Sequence, residues 1–330
     1  MQFTLVLPSM LSLPSATLAA SPGLAALAQR APPPHYETAG IDAVLLAVAQ
    51  RPPATPLAPL AARGAGVALG TGAIARADPV ALIAGRDDVL LGGRVDDLSS
   101  ADAQVFIARL NHHFANDGME FVAPRSDTWF VHLAGLDPPQ TTSLAQVHGA
   151  IHAHLPHGAQ AGQWKRWLSE MQMLLHDDPR NAARERDGRL PVTAIWIADA
   201  GTADAAASNS SAQWFAPPGR GGDIARGLAA QGPGSVAPPP AGLAQLPSAL
   251  DAVVVLPEVR TPAELDAAVG AWLTPALAAL DHGTLDALTV VAADGRGAFV
   301  WTPRATSWWT RWRPWSRSPV FVPPAAPEPQ

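Results

Sequence analysis

The stretch that most limits what this chain can fold into runs from Trp164 to Gly201. Trp164, Trp167, Leu168, Met171, Leu174 and Leu175 recur at the spacing that lines one face of an α-helix, with Lys165, Arg166, Ser169, Glu170 and Gln172 mostly on the other face. That helix must stop at Asp177–Asp178, because Pro179 disfavours α geometry in the residue before it. A second, short helix can start at once. Asp178 suits its N-cap, Pro179 its first position and Gly188 its C-terminal stop. Leu190 to Ala198, with Val192, Ile195, Trp196 and Ile197, then reads as a buried strand closed by Gly201. The local order is helix, tight turn, short helix, strand.

The residues His176, Pro179, Asn181, Arg184, Gly188, Pro191, Ile195, Trp196 and Gly201, at these spacings, form a segment that resembles two groups of proteins. One is the archaeal-type, cofactor-independent phosphoglycerate mutases. The other, and the nearer, is the bacterial regulatory proteins of the RpfE type, whose run before the turn is similar to Gln172-Met173-Leu174-Leu175. Gly70-Thr71-Gly72, Asp78-Pro79, Trp129 and the Trp- and Arg-rich C-terminus also fit. The resemblance covers residues 65 to 205 well and the rest loosely. Arg180 stands where the family usually has Val, Thr193 where it usually has Asn, and Ala198-Asp199-Ala200 replaces a Trp/Gly-rich run.

The resemblance implies an α/β fold, a mixed sheet flanked by helices with an α+β lobe, like the alkaline-phosphatase superfamily but degenerate. The metal-dependent mutases use two divalent ions, a Ser nucleophile and Asp/His ligands, the first strand leading directly into an acidic ligand. Here the first strand, Phe3 to Leu7, ends in Pro8-Ser9, and no acid precedes Glu37. Asp281-His282-Gly283 is the one late tripeptide similar to the family's ligand segment, and it precedes a strand, so it reads as a helix-ending turn. Without acidic and histidine clusters two ions cannot be held. The expectation is no catalytic residue, no metal and no cofactor.

Within the shared segment, His176, Asn181, Arg184 and Trp196 are the candidate ligand-binding residues. Asn181 and Arg184 lie three apart, so they share a helix face. Their structural reading has Asn181 bonding backbone near the turn and Arg184 pairing with a carboxylate or strand-end carbonyls. The other reading makes them remnants of an anion pocket.

At 330 residues and 48% hydrophobic, the chain has material for one large domain or two smaller ones. The expected division is a main lobe over 1–212 with an α+β portion at about 65–160, a Pro/Gly-rich connection over 213–246, a C-terminal part of the fold over 247–322, and a disordered tail over 323–330. In order, the elements expected are a helix at Ile41–Ala49, a short strand at Val89–Leu91, and a helix from Ala101 to Phe114. That helix is capped by Ser99 or Ser100, with Val105, Phe106, Leu110 and Phe114 on its buried face. A hairpin follows, Glu120–Val122 and Thr128–Leu133, joined by Pro124-Arg125-Ser126-Asp127. Later come a strand at Ala252–Leu256, a helix opened by the capping box Thr261-Pro262-Ala263-Glu264, and a second helix started by Pro275. The last is a hairpin of Ala287–Ala292 with Ala298–Trp301. The glycines of Gly64–Ala77 read as tight turns and strand ends, without the spacing of a phosphate loop. His148, His152, His154 and His157 read as loop histidines, since a zinc site would want a third ligand type nearby.

Net charge is −6, which gives no general attraction to nucleic acid. The absence of cysteine excludes disulfides and fits a reducing, cytoplasmic setting. The first residues lack a basic n-region, and Pro8 and Pro14 interrupt their apolar run, so they read as a strand entering the sheet rather than an export signal. No run is long enough for a membrane helix. Trp308, Trp309, Arg311, Trp312 and Arg313 read first as packing, Arg stems and guanidinium planes lying on indole rings, and otherwise as candidate docking residues, because Trp and Arg dominate interface hot spots. Three readings stay open: a non-catalytic regulatory or binding protein with a protein partner, an active metal-dependent mutase or phosphatase-like enzyme, and partner or nucleic-acid binding through the Trp/Arg end. The missing acids favour the first.

Overall fold

The computed structural model describes residues 1–86, 88–147, 149–203, 210–232, 236–247, 251–293, 297–306 and 321–325. The chain divides into two units, one formed by Met1–Thr55 with Ala206–Gln330, the other by Pro56–Ala205. The second is thus a continuous insertion into the first. This differs from the division expected at 212/213 and 246/247, because the break in composition near residue 213 is not a break in packing.

The first unit contains β1 (Gln2–Leu7), α1 (Ser15–Ala20), α2 (Pro22–Arg30), β2 (His35–Glu37) and α3 (Gly40–Val48) before the insertion. The insertion holds α4 (Leu57–Gly64), β3 (Ala73–Ala84), β4 (Val89–Arg94), α5 (Ser100–His113), β5 (Met119–Arg125), β6 (Thr128–Leu133), α6 (Ala161–His176), α7 (Pro179–Arg186) and β7 (Ala194–Thr202). The first unit then resumes with β8 (Gln213–Phe215), α8 (Arg220–Ala229), β9 (Val236–Ala237), β10 (Ala252–Val255), α9 (Pro262–Ala268), α10 (Thr274–Asp281), β11 (Ala287–Ala293) and β12 (Ala298–Trp301).

The sheet of the first unit has the order β2-β12-β11-β1-β10-β8-β9. β1 is parallel to both neighbours, with Leu5 opposite Val254 on one side and Val290 on the other, and β12 and β2 add an antiparallel edge. A strand in that central place is covered on both faces, and Phe3, Leu5, Val6 and Leu7 are all buried. The N-terminal strand expected from the sequence is therefore the middle of the sheet. The fold class is α/β, a mixed sheet flanked by helices.

Two expectations in this unit are corrected. Residues 213–246 are not a loose connection: β8 pairs with β10, and α8 buries Ile224, Ala225 and Leu228. Small residues let that helix lie close to its neighbours, and the same Ala and Gly make its sequence look like a linker. The helices around Pro275 form one run, since the residues joining α9 to α10 stay helical as a π turn over Val269–Leu273. Proline cannot donate the i→i−4 bond, and a wider turn absorbs that loss. The capping box holds, Thr261 accepting from the Glu264 N–H and Glu264 accepting from that of Thr261. Asp281-His282-Gly283 does end α10, with Gly283 at φ 71°. Asp281 pairs with Arg30 at 3.0 Å and accepts from Thr306, which straps residues 302–306 across α2 and α10, while Phe321 packs beside Trp301. The tip of the last hairpin, Asp294-Gly295, lies outside the described residues.

In the inserted unit β3 is the long central strand, pairing with β7 along one side and with β6 and β4 along the other, β5 lying beyond β6. One face carries Ala73, Ala75, Phe121, Val131, Ile195 and Ile197 and is covered by α5 and α6 through Phe106, Leu110, Trp164 and Met171. Ser99 caps α5, accepting from the Asp102 N–H, and Phe114 is buried as expected, but Val105 is 37% exposed. It precedes Phe106 in sequence and so lies about 100° away from the buried stripe. The hairpin β5–β6 closes at Ser126–Asp127, Pro124 and Arg125 remaining in the strand beyond a bulge. Asn111 of α5 covers the outer edge of β5, donating to the Phe121 carbonyl at 2.9 Å and accepting its N–H at 2.6 Å, as a neighbouring strand would.

Candidate functional site

The shared segment folds as expected through α6 and α7. Trp164, Trp167, Met171 and Leu175 are the buried stripe, and Asp178 caps α7, its carboxylate accepting from the Arg180 N–H at 2.9 Å. Asn181 is 4% exposed and fully engaged. Its amide nitrogen donates to the carbonyls of Leu175 at 2.9 Å and Val192 at 2.8 Å, and its oxygen accepts the Val192 N–H at 2.8 Å. One side chain thus ties the end of α6 to the approach of β7. Arg184 is buried beside it, donating through Nε to the Leu190 carbonyl at 2.7 Å and pairing through Nη2 with Asp97.

Around the cap, Asp178 also pairs with Arg109 of α5 at 3.0 Å and Arg180 at 3.2 Å, and Arg180 reaches Asp102 at 3.3 Å. Burial pushes the Asp178 carboxyl up, but the Arg180 N–H and the two guanidinium groups outweigh it and hold the group below its ordinary value. The Arg180 that departs from the family pattern is part of this lattice. Thr193, the second departure, accepts the Leu82 N–H at 2.6 Å and so fastens the turn to β3.

The four candidate residues therefore do not converge. Asn181 and Arg184 share one turn. His176 is exposed at the end of α6, and Trp196 lies on the opposite face of the sheet, clustered with Val80, Val147 and Ile151 and donating its indole N–H to the Thr142 carbonyl at 2.9 Å. The strand itself begins at Ala194 and continues through Gly201 to Thr202. Gly201 does not end it: a Cβ there would stand 2.4 Å from that of Pro56, so the glycine permits a close approach. Trp308, Trp309, Arg311, Trp312 and Arg313 lie outside the described residues, as does His148.

Sequence reasoning missed Asp199. Its φ of 59° marks a bulge in β7, where Asp199 and Ala200 lie opposite Ala75 alone. The bulge turns the carboxylate toward Arg76 at 3.6 Å, and Ser143 donates to it at 3.4 Å. The tolerance of Asp for left-handed backbone was the available signal.

A groove of about 1100 Å³ opens at one end of the inserted unit's sheet, between the Val67–Ala73 segment, the exposed face of β5 and β6, and residues 134–138. The glycines of Gly70–Gly72 are its rim, as turns rather than a phosphate cradle. In the first unit the carboxyl ends of the parallel strands, where open α/β sheets bind ligands, finish in Pro8-Ser9, in Ala216-Pro217 and in Pro257-Glu258, with Glu258 paired to Arg260. Among the described residues no three His, Asp or Glu side chains are grouped to hold a metal ion, and no helix is long and apolar enough to cross a membrane.

These features define an α/β protein whose parallel-centred mixed sheet is interrupted by an inserted α+β unit. No protein-family model matches the sequence, and no curated protein matches it. Two solved structures are similar over most of the chain: a cofactor-independent phosphoglycerate mutase from Thermoplasma acidophilum, 16% identical with a TM-score of 0.43, covering 92% of this chain and 89% of that one; and the PH0037 protein from Pyrococcus horikoshii, 12% identical with a TM-score of 0.49, covering 92% and 87%. Likeness of this size carries no implication for activity.

Proposed function

We propose that this protein is a non-catalytic binding or regulatory relative of the cofactor-independent phosphoglycerate mutases, of the RpfE type, acting through a protein partner in the cytoplasm. The observation that carries the reading is the hydrogen bonding of Asn181 and Arg184: Asn181 and the Nε and Nη2 of Arg184 are used on the segment's own backbone and on Asp97, while the buried Nη1 of Arg184 has no hydrogen bond. It is a scaffold, and a scaffold is inherited without the chemistry it once supported. Among the described strand ends of the first unit, Pro8-Ser9 carries no carboxylate and Glu258 is paired to Arg260, which favours the same reading. A protein partner is favoured over nucleic acid because the net charge is −6.

The test is interconversion of 2- and 3-phosphoglycerate by the full chain, with Mn²⁺, Mg²⁺ or Zn²⁺ added, alongside elemental analysis of the purified protein. The expected result is no turnover and no stoichiometric metal. Turnover abolished by a chelator and restored by one of these ions would overturn the proposal.

A further inference from the structure

We propose that the exposed face at the open end of the β3–β4 hairpin is a homodimer contact, met across a two-fold axis by the same face of a second copy of this chain. The contact does not depend on the function proposed above.

Ile83 follows Ala81 by two residues and so stands on the same face of β3, the face that α5 and α6 cover over Ala73 and Ala75. That cover stops short of Ile83, which is 51% exposed. Leu90, directly opposite it on β4, is 40% exposed, and neither side chain joins the core of that face. Two glycines make the surface continuous. Ile83 lies over Gly92, where a Cβ would stand 2.6 Å from its Cδ1, and Leu190 lies against Gly93, its Cδ1 3.2 Å from where a Cβ would be. Leu190 is itself 40% exposed. Of the seven large hydrophobic side chains exposed among the described residues, three thus share one patch, unlike the single scatter that needs no explanation. The outer edge of β4 is not what is offered. Ala150 bridges to Leu90 there, and the register slips past Gly92, both of which discourage a further strand. The face is open.

The charges at the two ends of the patch select a second copy. Arg86 and Asp88 stand in the turn that joins β3 to β4, and Asp187 and Arg189 in the turn that follows α7 and delivers Leu190; all four are exposed. Each end carries one acid and one base. A two-fold axis through the apolar middle lays each end on the opposite end of the copy. There Asp88 can meet Arg189 of the partner subunit and Arg86 the partner subunit's Asp187, each contact occurring twice. Asp187 now pairs with Arg189 at 2.9 Å, an exposed contact worth little in water and open to exchange. A strongly acidic or basic partner gains nothing from a rim of balanced charge, whereas a two-fold partner requires the balance. Three side chains are a small core against the roughly 800 Å² per partner of a standard interface, so the expected dimer is weak, with Kd about 10–100 µM.

The test is sedimentation equilibrium of the full chain from about 5 to 300 µM, where monomer should give way to dimer. Leu90→Glu, at an exposed site the fold can spare, should weaken the dimer about thirtyfold or more, as loss of an interface anchor does. Asp88→Arg alone should weaken it about tenfold by facing Arg189 of the partner subunit. Adding Arg189→Asp to the same chain should restore it to within about threefold of the wild type, a rescue that no general loss of folding or solubility would give. A chain still monomeric at about 300 µM, a higher assembly in place of the dimer, a dimer indifferent to Leu90→Glu, or a charge reversal that fails to rescue would each overturn the proposal.

Discussion

Replacing Asn181 by Ala tests the central claim about the shared segment. The substitution leaves the Val192 N–H and the Leu175 and Val192 carbonyls without the partner that now serves all three. A buried backbone group deprived of its partner costs about 1–3 kcal/mol, and water entering the vacated space offsets part of that. The expected loss is about 3–4 kcal/mol, large for a single substitution and a substantial fraction of the 5–15 kcal/mol by which a domain is typically stable. Asn181→Asp should be no better. It keeps an acceptor for the Val192 N–H but turns a second oxygen toward two carbonyls. Because the chain has two units, a single melting curve does not isolate the effect. The assay is urea unfolding of the full chain with hydrogen exchange read at the Val192 amide. Exchange there should accelerate strongly, and the transition that exposes the inserted unit should fall to lower urea. A loss below about 1 kcal/mol, with Val192 protected as in the wild type, would refute the structural account and return Asn181 to the list of ligand groups.

Asp178 adds a pH dependence. Its folded pKa lies below the unfolded value, so its contribution is fully present above the unfolded value of about 4 and is lost as pH falls through the folded one. Acid titration of stability should lose this component in Asp178→Ala, which should also cost about 1–2 kcal/mol at neutral pH as a cap is removed; an unchanged acid limb would contradict the assignment. Gly201→Ala should destabilise the inserted unit by about 1–3 kcal/mol through overlap with Pro56, read as a lowered urea midpoint. Phe321→Ala should cost the first unit about 3–5 kcal/mol, because the ring is 1% exposed beside Trp301; a wild-type midpoint would show that this C-terminal anchor does not support the core.

Much of the local structure was written in the chain. The stripe of α6, the cap of α7 at Asp178-Pro179, Ser99 before α5 and the box of Thr261 with Glu264 all depend on groups within about four residues of one another, so composition and spacing suffice to place them. The apolar run of β1 likewise marked a buried strand. What spacing could not supply was the partner. β1 finds β10 and β11 some 250 residues away, and the insertion of residues 56–205 between the halves of one sheet leaves no composition boundary. The strand–helix–strand of β8, α8 and β9 passed for a linker because Ala and Gly signal looseness alone and close packing in company. Asn181 and Arg184 were recognisable as a pair, yet only the return of Leu190 and Val192 to the end of α6 determined that Asn181 would bond backbone alone and Arg184 the Leu190 carbonyl and Asp97. The groove beside β5 and β6 had no sequence signature at all, since strand register, turn glycines and the Trp164 indole set its walls from separate parts of the chain. Local propensity is decided by neighbours along the chain; burial, pairing and the charge of a cavity are decided by neighbours in space, which the sequence specifies only through the whole fold.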